Sequence, residues 1–467
     1  MMVETALKGV TESLERAAAQ NEELRTFITI TSEQALADAE KSDEAAAEGR
    51  WLGLLHGMSM AVKDNIDTAG IRTTSGAKFW SERVPNDDAT VVKRLKAAGA
   101  VIVGKSTLGE LVFDVMSHNP VVGHAKNPWD KERSPGGSSG GSAAALAADM
   151  CVGALGSDTG GSVRIPAAFC GVSGLRPTHG AVPNTGATPV SVGNDTIGPM
   201  ARRVEDVARI FAVMTGYDAA DPHSIDHEFG NFLPRLHNGV KGLTIGLPSN
   251  YFFENVDPEI DILVREGAAV FEGLGAELVE IDLPGAEEAQ QQATVQIYCD
   301  AANYHRQRLE NEPDGFSQPV FDRMSRGLDI RGVELAAALR FKEQWMRSVE
   351  QVFDSVDIIL CPTTPIPAIL IENSPDLHEM TARAASLTYP GSLASIPGLS
   401  LPCGFTKSGL PVGLQLQAAW WNDPLLFCRL DARISRKRPG TRSGRVRCNN
   451  FIPLAFISER CLHHCIL

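Results

Sequence analysis

A repeated unit restricts the fold of this chain more than any other feature: an amphipathic stretch, a glycine, then a short apolar run. Thr90 to Ala98 (TVVKRLKAA) has helical spacing, Gly99 stops it, and Ala100 to Val103 (AVIV) reads as a short buried strand. The unit returns with Ile260 to Leu274 as a helix, Gly275 as its cap and Glu277 to Leu283 as a strand. Asp357 to Leu360 (DIIL) and Gly413 to Gln417 (GLQLQ) are further strand candidates. A helix with one apolar stripe needs a surface to bury it against. The alternation therefore predicts an α/β fold, with a sheet layered by helices on both faces. Leu7 to Ala19 and Glu33 to Ala47 are rich in Ala and Glu at helical spacing, so residues 1–50 read as an N-terminal helical segment. No sequence repeat with a fixed period of roughly 20 to 50 residues is evident, and no linker splits residues 51–427, which read as one domain.

Composition excludes several classes. With 43% hydrophobic and 21% charged residues, the 467-residue chain can build a full core and is not globally disordered. No stretch approaches the roughly 18 to 20 apolar residues of a membrane span. The start, Met1-Met2-Val3-Glu4-Thr5, lacks a secretory pattern, so the expected location is cytoplasmic with no membrane association. A net charge of −14 argues against nucleic acid as a partner, because phosphate contacts need a basic face. The nine cysteines form no CxxC pair and are odd in number; this predicts reduced, mostly buried thiols with neither a zinc site nor a disulfide framework. Residues 428–467 break the pattern: nine Lys and Arg against Asp431 and Glu459 give +7, while the other 427 residues carry −21. This atypical basic tail is read as disordered or non-native rather than as an RNA-binding arm, since the body repels the same partner.

Three segments carry chemistry. Ser134 to Ser142 (SPGGSSGGS) runs into Ala143 to Ala148 as a flexible loop leading to a helix. It lacks the Gly-Lys-Ser/Thr ending of a phosphate loop, and its Gly136-to-Gly140 match to G-x-S-x-G is short enough to be accidental. Gly156 to Arg164 (GSDTGGSVR) places Thr159, Gly160 and Gly161 directly before Ser162. Glycines there let successive N–H groups point at one spot, which suits an oxyanion hole beside a nucleophile. Lys63, in Ala61-Val62-Lys63-Asp64-Asn65, ends an apolar stretch; desolvation can make such a lysine a general base, although pairing with Asp64 is the blander reading in isolation.

Together, Lys63, the SPGGSSGGSAAA loop and the GSDTGGSVRIPAAFCG run resemble the amidase signature family. Flanking stretches agree, including Asn127-Pro128-Trp129-Asp130, Gly174-Leu175-Arg176-Pro177-Thr178 and Pro411-Val412-Gly413-Leu414-Gln415, so the likeness extends from about Leu54 to about Gln417. It implies the amidase signature fold, a large mixed twisted sheet sandwiched between layers of α-helices, and makes residues 51–427 the catalytic domain. It also implies a Ser–cis-Ser–Lys triad with Ser162 as nucleophile, Ser138, after a cis peptide, as bridging serine and Lys63 as base. The N–H groups of Thr159, Gly160, Gly161 and Ser162 would hold the oxyanion, with Asp158 and Arg164 bracing the loop from behind. Ser139, His124, His179 and Cys170 are read as structural.

The expected activity is cofactor-free and metal-free hydrolysis of a small-molecule amide or carbamate through an acyl-enzyme, and the family likeness allows a homodimer. The alternative is the glutamine-hydrolysing A subunit of a tRNA-dependent amidotransferase. Its members usually carry glutamine where this chain has Ile165, which leans against that reading. A Ser-His-Asp hydrolase and a non-enzymatic scaffold are the remaining options. The family continues past Gln417 with a helix that closes the fold; here Ala418 to Phe427 (AAWWNDPLLF) begins that stretch, and the basic tail takes over from Cys428.

Overall fold

The first site residue, Lys63, ends a strand, and eleven strands make up the sheet around it. The computed structural model describes residues 5–371 and 377–427. In chain order the strands are β1 (Phe27–Ile30), β2 (Ser59–Lys63), β3 (Val101–Ser106), β4 (Gly153–Asp158), β5 (Ser173–Arg176), β6 (Thr196–Ala201), β7 (Thr244–Pro248), β8 (Glu277–Ile281), β9 (Ile358–Pro362), β10 (Gly398–Phe405) and β11 (Pro411–Gln417). They lie side by side as β1-β3-β2-β4-β6-β5-β10-β11-β9-β7-β8. Parallel pairs (β2 with β3 and β4, β7 with β8 and β9) sit among antiparallel ones, so the sheet is mixed.

Helices cover both faces: α1 (Ala6–Leu24), α2 (Ser32–Ala47), α3 (Thr90–Ala97), α4 (Gly140–Ala147), α5 (Arg164–Cys170), α6 (Val204–Met214), α7 (Pro258–Gly273) and α8 (Ala286–Tyr304), followed by long helices at Gln318–Asp329 and Gly332–Val352. The strand period of two sorts the side chains between layers. Met60 and Val62 of β2 join one core with Val92 and Leu95 of α3, Phe211 of α6 and Phe271 of α7. Ala61 points the other way, onto Val10 of α1, Ala144 of α4 and Ala167 of α5. Lys63 has the register of Ala61 and ends the strand on the α4 side.

The structure departs from the sequence expectation at the N-terminus and adds three strands for which the sequence carries no period. The first fifty residues are not purely helical: Phe27–Ile30 forms β1, which pairs antiparallel with β3 and ties this segment into the sheet. The four residues FITI are too short to show a period between two strong helix patterns. Strands β4, β5 and β6 (GALGSD, SGLR, TIGPMA) are glycine-bearing and low in β-propensity. Close packing overrides that weakness. A Cβ at Gly153 would lie 2.4 Å from Met60 Sδ, and one at Gly156 2.7 Å from Ser139 Oγ. The expected basic tail, residues 428–467, lies outside the described residues. Among the described residues no helix is long and apolar enough to cross a membrane.

Candidate active site

Three neighbouring chain segments converge at the ends of β2 and β4. Lys63 is fully buried. Its Nζ lies 2.7 Å from Ser138 Oγ, 2.9 Å from Ser157 Oγ and 3.4 Å from Ser157 O. The bland pairing with Asp64 does not occur, because Asp64 Oδ2 accepts from Thr74 N and Oγ1 at 2.8 and 2.5 Å. Burial pulls the Lys63 ammonium down to about 7, against the opposing charges of Asp158, Asp114 and Asp195.

The Gly137–Ser138 peptide is cis, and α4 begins two residues later. Ser139 N–H donates to Ser162 O at 3.2 Å, which locks this turn against the second loop. Ser138 is fully buried, whereas Ser162 keeps 6% exposure. The site residues are thus brought together as Lys63, Ser138 and the Thr159–Ser162 loop.

Asp158, at the end of β4, organises that loop. Its Oδ1 accepts from Gly161 N at 2.8 Å and its Oδ2 from Val163 N at 3.1 Å. Arg164 clamps both oxygens, at 3.0 Å from Nη2 and 3.1 Å from Nε. Burial alone would raise the Asp158 carboxyl, but Arg164 and Arg176 outweigh it and hold it well below the usual carboxylate range. Gly161, expected among the oxyanion donors, therefore has its N–H bonded to Asp158. Gly161 has φ +138°, and a Cβ there would meet Thr388 Oγ1 at 2.2 Å; one on Gly160 would meet the Tyr389 ring at 2.8 Å.

Sequence reasoning misses several partners. Ser157 sits inside the GSDTGGS run without standing out from it, yet it touches the Lys63 amine. Arg176, visible in the sequence only as part of a flanking match, bonds Asp158 O, Asp158 Oδ1 at 3.3 Å and Asn194 O at 2.7 Å. Thr159 Oγ1 donates to Asp195 Oδ1 at 2.6 Å, and burial raises Asp195 to about 6. Arg164 also reaches Gln415 Oε1 at 2.7 Å and Ser392 Oγ at 2.6 Å, more than two hundred residues away in sequence. No local signal could have revealed those two.

A cavity of about 260 Å³ opens beside Ser157 and Thr159, lined also by Asn65, Thr188, Asp195 and His223. On the helix Gln318–Asp329, Arg323 is 6% exposed, and its Nε and Nη1 have no hydrogen-bond partner. Its guanidinium lies 4.9 Å from the Phe113 ring centroid, and its charge acts on Asp114 and Tyr389. Among the described residues no histidine hydrogen-bonds Ser138, Ser139 or Ser162. His179 Nε2 contacts Val192 O at 3.1 Å and His124 stacks on His118 at 3.7 Å. Cys170 is a buried thiol, 3.4 Å from Pro135 O, with its pKa pushed up by desolvation. No group of three His, Cys, Asp or Glu among the described residues could hold a metal ion.

A buried lysine touching a cis-linked serine, beside a glycine loop, is the arrangement that the sequence likeness implies, and the family it points to hydrolyses carbon–nitrogen bonds other than peptide bonds. The chain matches the family model "Amidase" over residues 8–427 and belongs to that family, the amidase signature enzymes. It is 36% identical over 453 residues to the A subunit of the Glutamyl-tRNA(Gln) amidotransferase of Syntrophus aciditrophicus (strain SB), covering 91% of this chain and 93% of the relative. Among solved structures it is similar to a chain described as "An unexpected vestigial protein complex reveals the evolutionary origins of an s-triazine catabolic enzyme", with TM-score 0.86, 33% identity and coverage of 91% and 93%. A second, described as "Crystal structure of amidase", has TM-score 0.80 and 30% identity, with coverage of 91% and 94%.

Proposed function

We propose that this enzyme releases ammonia from glutamine through an acyl-enzyme, as the A subunit of a tRNA-dependent amidotransferase with partner subunits. The observation that carries the chemistry is the 2.7 Å contact between the buried Lys63 amine and Ser138 Oγ. Neutral Lys63 takes the Ser138 proton as Ser138 takes that of Ser162, and Ser162 Oγ attacks the amide carbon. Backbone N–H groups of Thr159, Gly160 and Ser162 hold the oxyanion, while Gly161 N–H, bonded to Asp158, sets the loop's shape. Ser138 then returns a proton to the departing nitrogen, ammonia leaves, and water repeats the attack. Asp158 and Arg164 keep the loop in place.

Two observations support glutamine as the substrate. Relatives at 36 and 38% identity over about nine-tenths of the chain carry the name of that amidotransferase component. Arg323, buried with two unpartnered nitrogens, matches the free α-carboxylate of an amino acid.

A stand-alone amidase acting on a neutral amide or carbamate is the second reading. Ile165 favours it: this side chain is fully buried in an apolar cluster with Val115, Met116 and Phe169, where glutamine is usual in the amidotransferase enzymes.

The test is ammonia release from glutamine, with and without partner subunits, beside a panel of anilides, aliphatic amides and carbamates. Lys63→Ala, Ser138→Ala and Ser162→Ala should each abolish turnover. Arg323→Met should raise KM for glutamine roughly 10- to 100-fold, the worth of a charged hydrogen bond, and spare neutral amides. Turnover of neutral amides but never of glutamine would establish the second reading instead.

A further inference from the structure

The amine of Lys63 has three oxygen neighbours but, when neutral, only two hydrogens. Its contacts are Ser138 Oγ at 2.7 Å, Ser157 Oγ at 2.9 Å and Ser157 O at 3.4 Å. A neutral amine has one lone pair, and a base must aim it at the proton it removes. Only one assignment uses all three contacts productively: both hydrogens go to Ser157, and the lone pair faces Ser138. Ser157 Oγ is itself held from the far side, because Asn65 Nδ2 donates to it at 3.3 Å and to Thr188 O at 3.4 Å. With Oγ accepting from both Lys63 and Asn65, its own hydrogen points away from the lysine. Ser157 and Asn65 both line the 260 Å³ cavity, which has room for that hydrogen's partner.

We propose that Ser157 is a positioning residue for Lys63: its Oγ and carbonyl oxygen take the two hydrogens of the neutral amine and so direct the lone pair at Ser138 Oγ. This rests on Lys63 acting as the base. It also gives a reason for Ser157 to be a hydroxyl residue, since a side chain without an acceptor frees the amine to rotate. The charged groups facing Lys63 are Asp158 at the end of β4, Asp114 in the loop after β3 and Asp195 in the loop before β6, and all three favour the protonated amine. Ser157 Oγ adds to the same side, because an ammonium gains more than an amine from an acceptor.

The test uses an alkyl fluorophosphonate, so it does not depend on the natural substrate. Ser162 Oγ forms a bond to phosphorus, fluoride leaves, and the serine proton passes through Ser138 to Lys63. Labelling rates are measured by mass spectrometry from pH 5 to 9 on the full chain and on variants checked by circular dichroism. Ser157→Ala is expected to label roughly 10- to 100-fold more slowly on its plateau, with the acid limb displaced to lower pH by about half a unit or more. Ser157→Thr keeps the hydroxyl, has cavity space for its methyl, and is expected to stay within about threefold of the parent with an unmoved limb. A parental rate and limb in Ser157→Ala would overturn the proposal. So would an unmoved limb with Ser157→Ala and Ser157→Thr slowed alike, which is the signature of a packing role. If Ser157→Ala does not fold, Ser157→Cys, whose thiol is a poor acceptor, takes its place under the same criteria. Undiminished labelling of Lys63→Ala would instead sink the lysine base itself.

Discussion

Replacing Lys63 with methionine is expected to make the protein more stable while abolishing its activity. The side chain is fully buried, and its pKa of about 7 compares with 10.5 for an unburied lysine. At pH 7 the unfolded chain holds a proton that the folded chain half releases, a linkage cost of about 4 kcal/mol. Methionine has a similar length and no charge, so it removes that cost. It also leaves Ser138 Oγ and Ser157 Oγ without a partner, at about 1 kcal/mol each. The expected net gain is therefore about 2 kcal/mol at pH 7. The sign of the pH dependence follows from the protons bound. Between pH 7 and 10.5 the unfolded state binds more protons, so the parent gains stability as pH rises, by up to about 1.4 kcal/mol per unit. The variant lacks this term, so its advantage shrinks and cancels near pH 9. Urea unfolding of both proteins, followed by tryptophan fluorescence at pH 7, 8 and 9, measures the difference directly. A difference that is the same at all three pH values refutes the reasoning, because it would mean that lysine is not held neutral by burial.

Three further outcomes follow from the geometry. Hydrolysis should require neutral Lys63, so the rate should fall below an acid limb near pH 7 by about tenfold per unit; a profile flat down to pH 5 would rule out the lysine base. Asp158→Asn strips the countercharge from Arg164 and Arg176, both buried, and should cost about 3–5 kcal/mol in urea unfolding. A loss below about 1 kcal/mol would show that this ion cluster does not hold the loop. Gly161→Ala places a Cβ 2.2 Å from Thr388 Oγ1 at φ +138°, and the shifted loop should slow fluorophosphonate labelling by about 100-fold or more; labelling within threefold of the parent would contradict the steric argument.

Much of the site could be read from the chain because its chemistry is concentrated in short runs. Lys63, the loop around Ser138 and the run ending at Ser162 are each ambiguous alone, and only their order and spacing together, through the family likeness, single them out. The helix–glycine–strand unit at Thr90–Val103 reappears as α3 and β3, shifted by a few residues. What escaped had physical reasons. β1 is four residues between two helices, too short for a period to register. β4 is a strand because Met60 and Ser139 leave no room for side chains at Gly153 and Gly156, a condition set by neighbours far along the chain. Arg323 sits on an ordinary amphipathic helix, and its lack of partners exists only once that helix is packed beside Phe113.

The sequence by itself determined which groups are present and in what order: one lysine at the end of an apolar run, two serine–glycine loops, and the α/β alternation that must fold into a layered sheet. Only the tertiary structure decided their state. Lys63 is drawn down to about 7 because the sheet and α4 strip water from it, and desolvation depends on the whole packed surroundings rather than on spacing. Gly161 N–H belongs to Asp158 because Arg164, anchored by Ser392 and Gln415, holds that carboxylate beneath the loop. Hydrogen-bond partners separated by more than two hundred residues are chosen by strand order, and strand order is decided by the core.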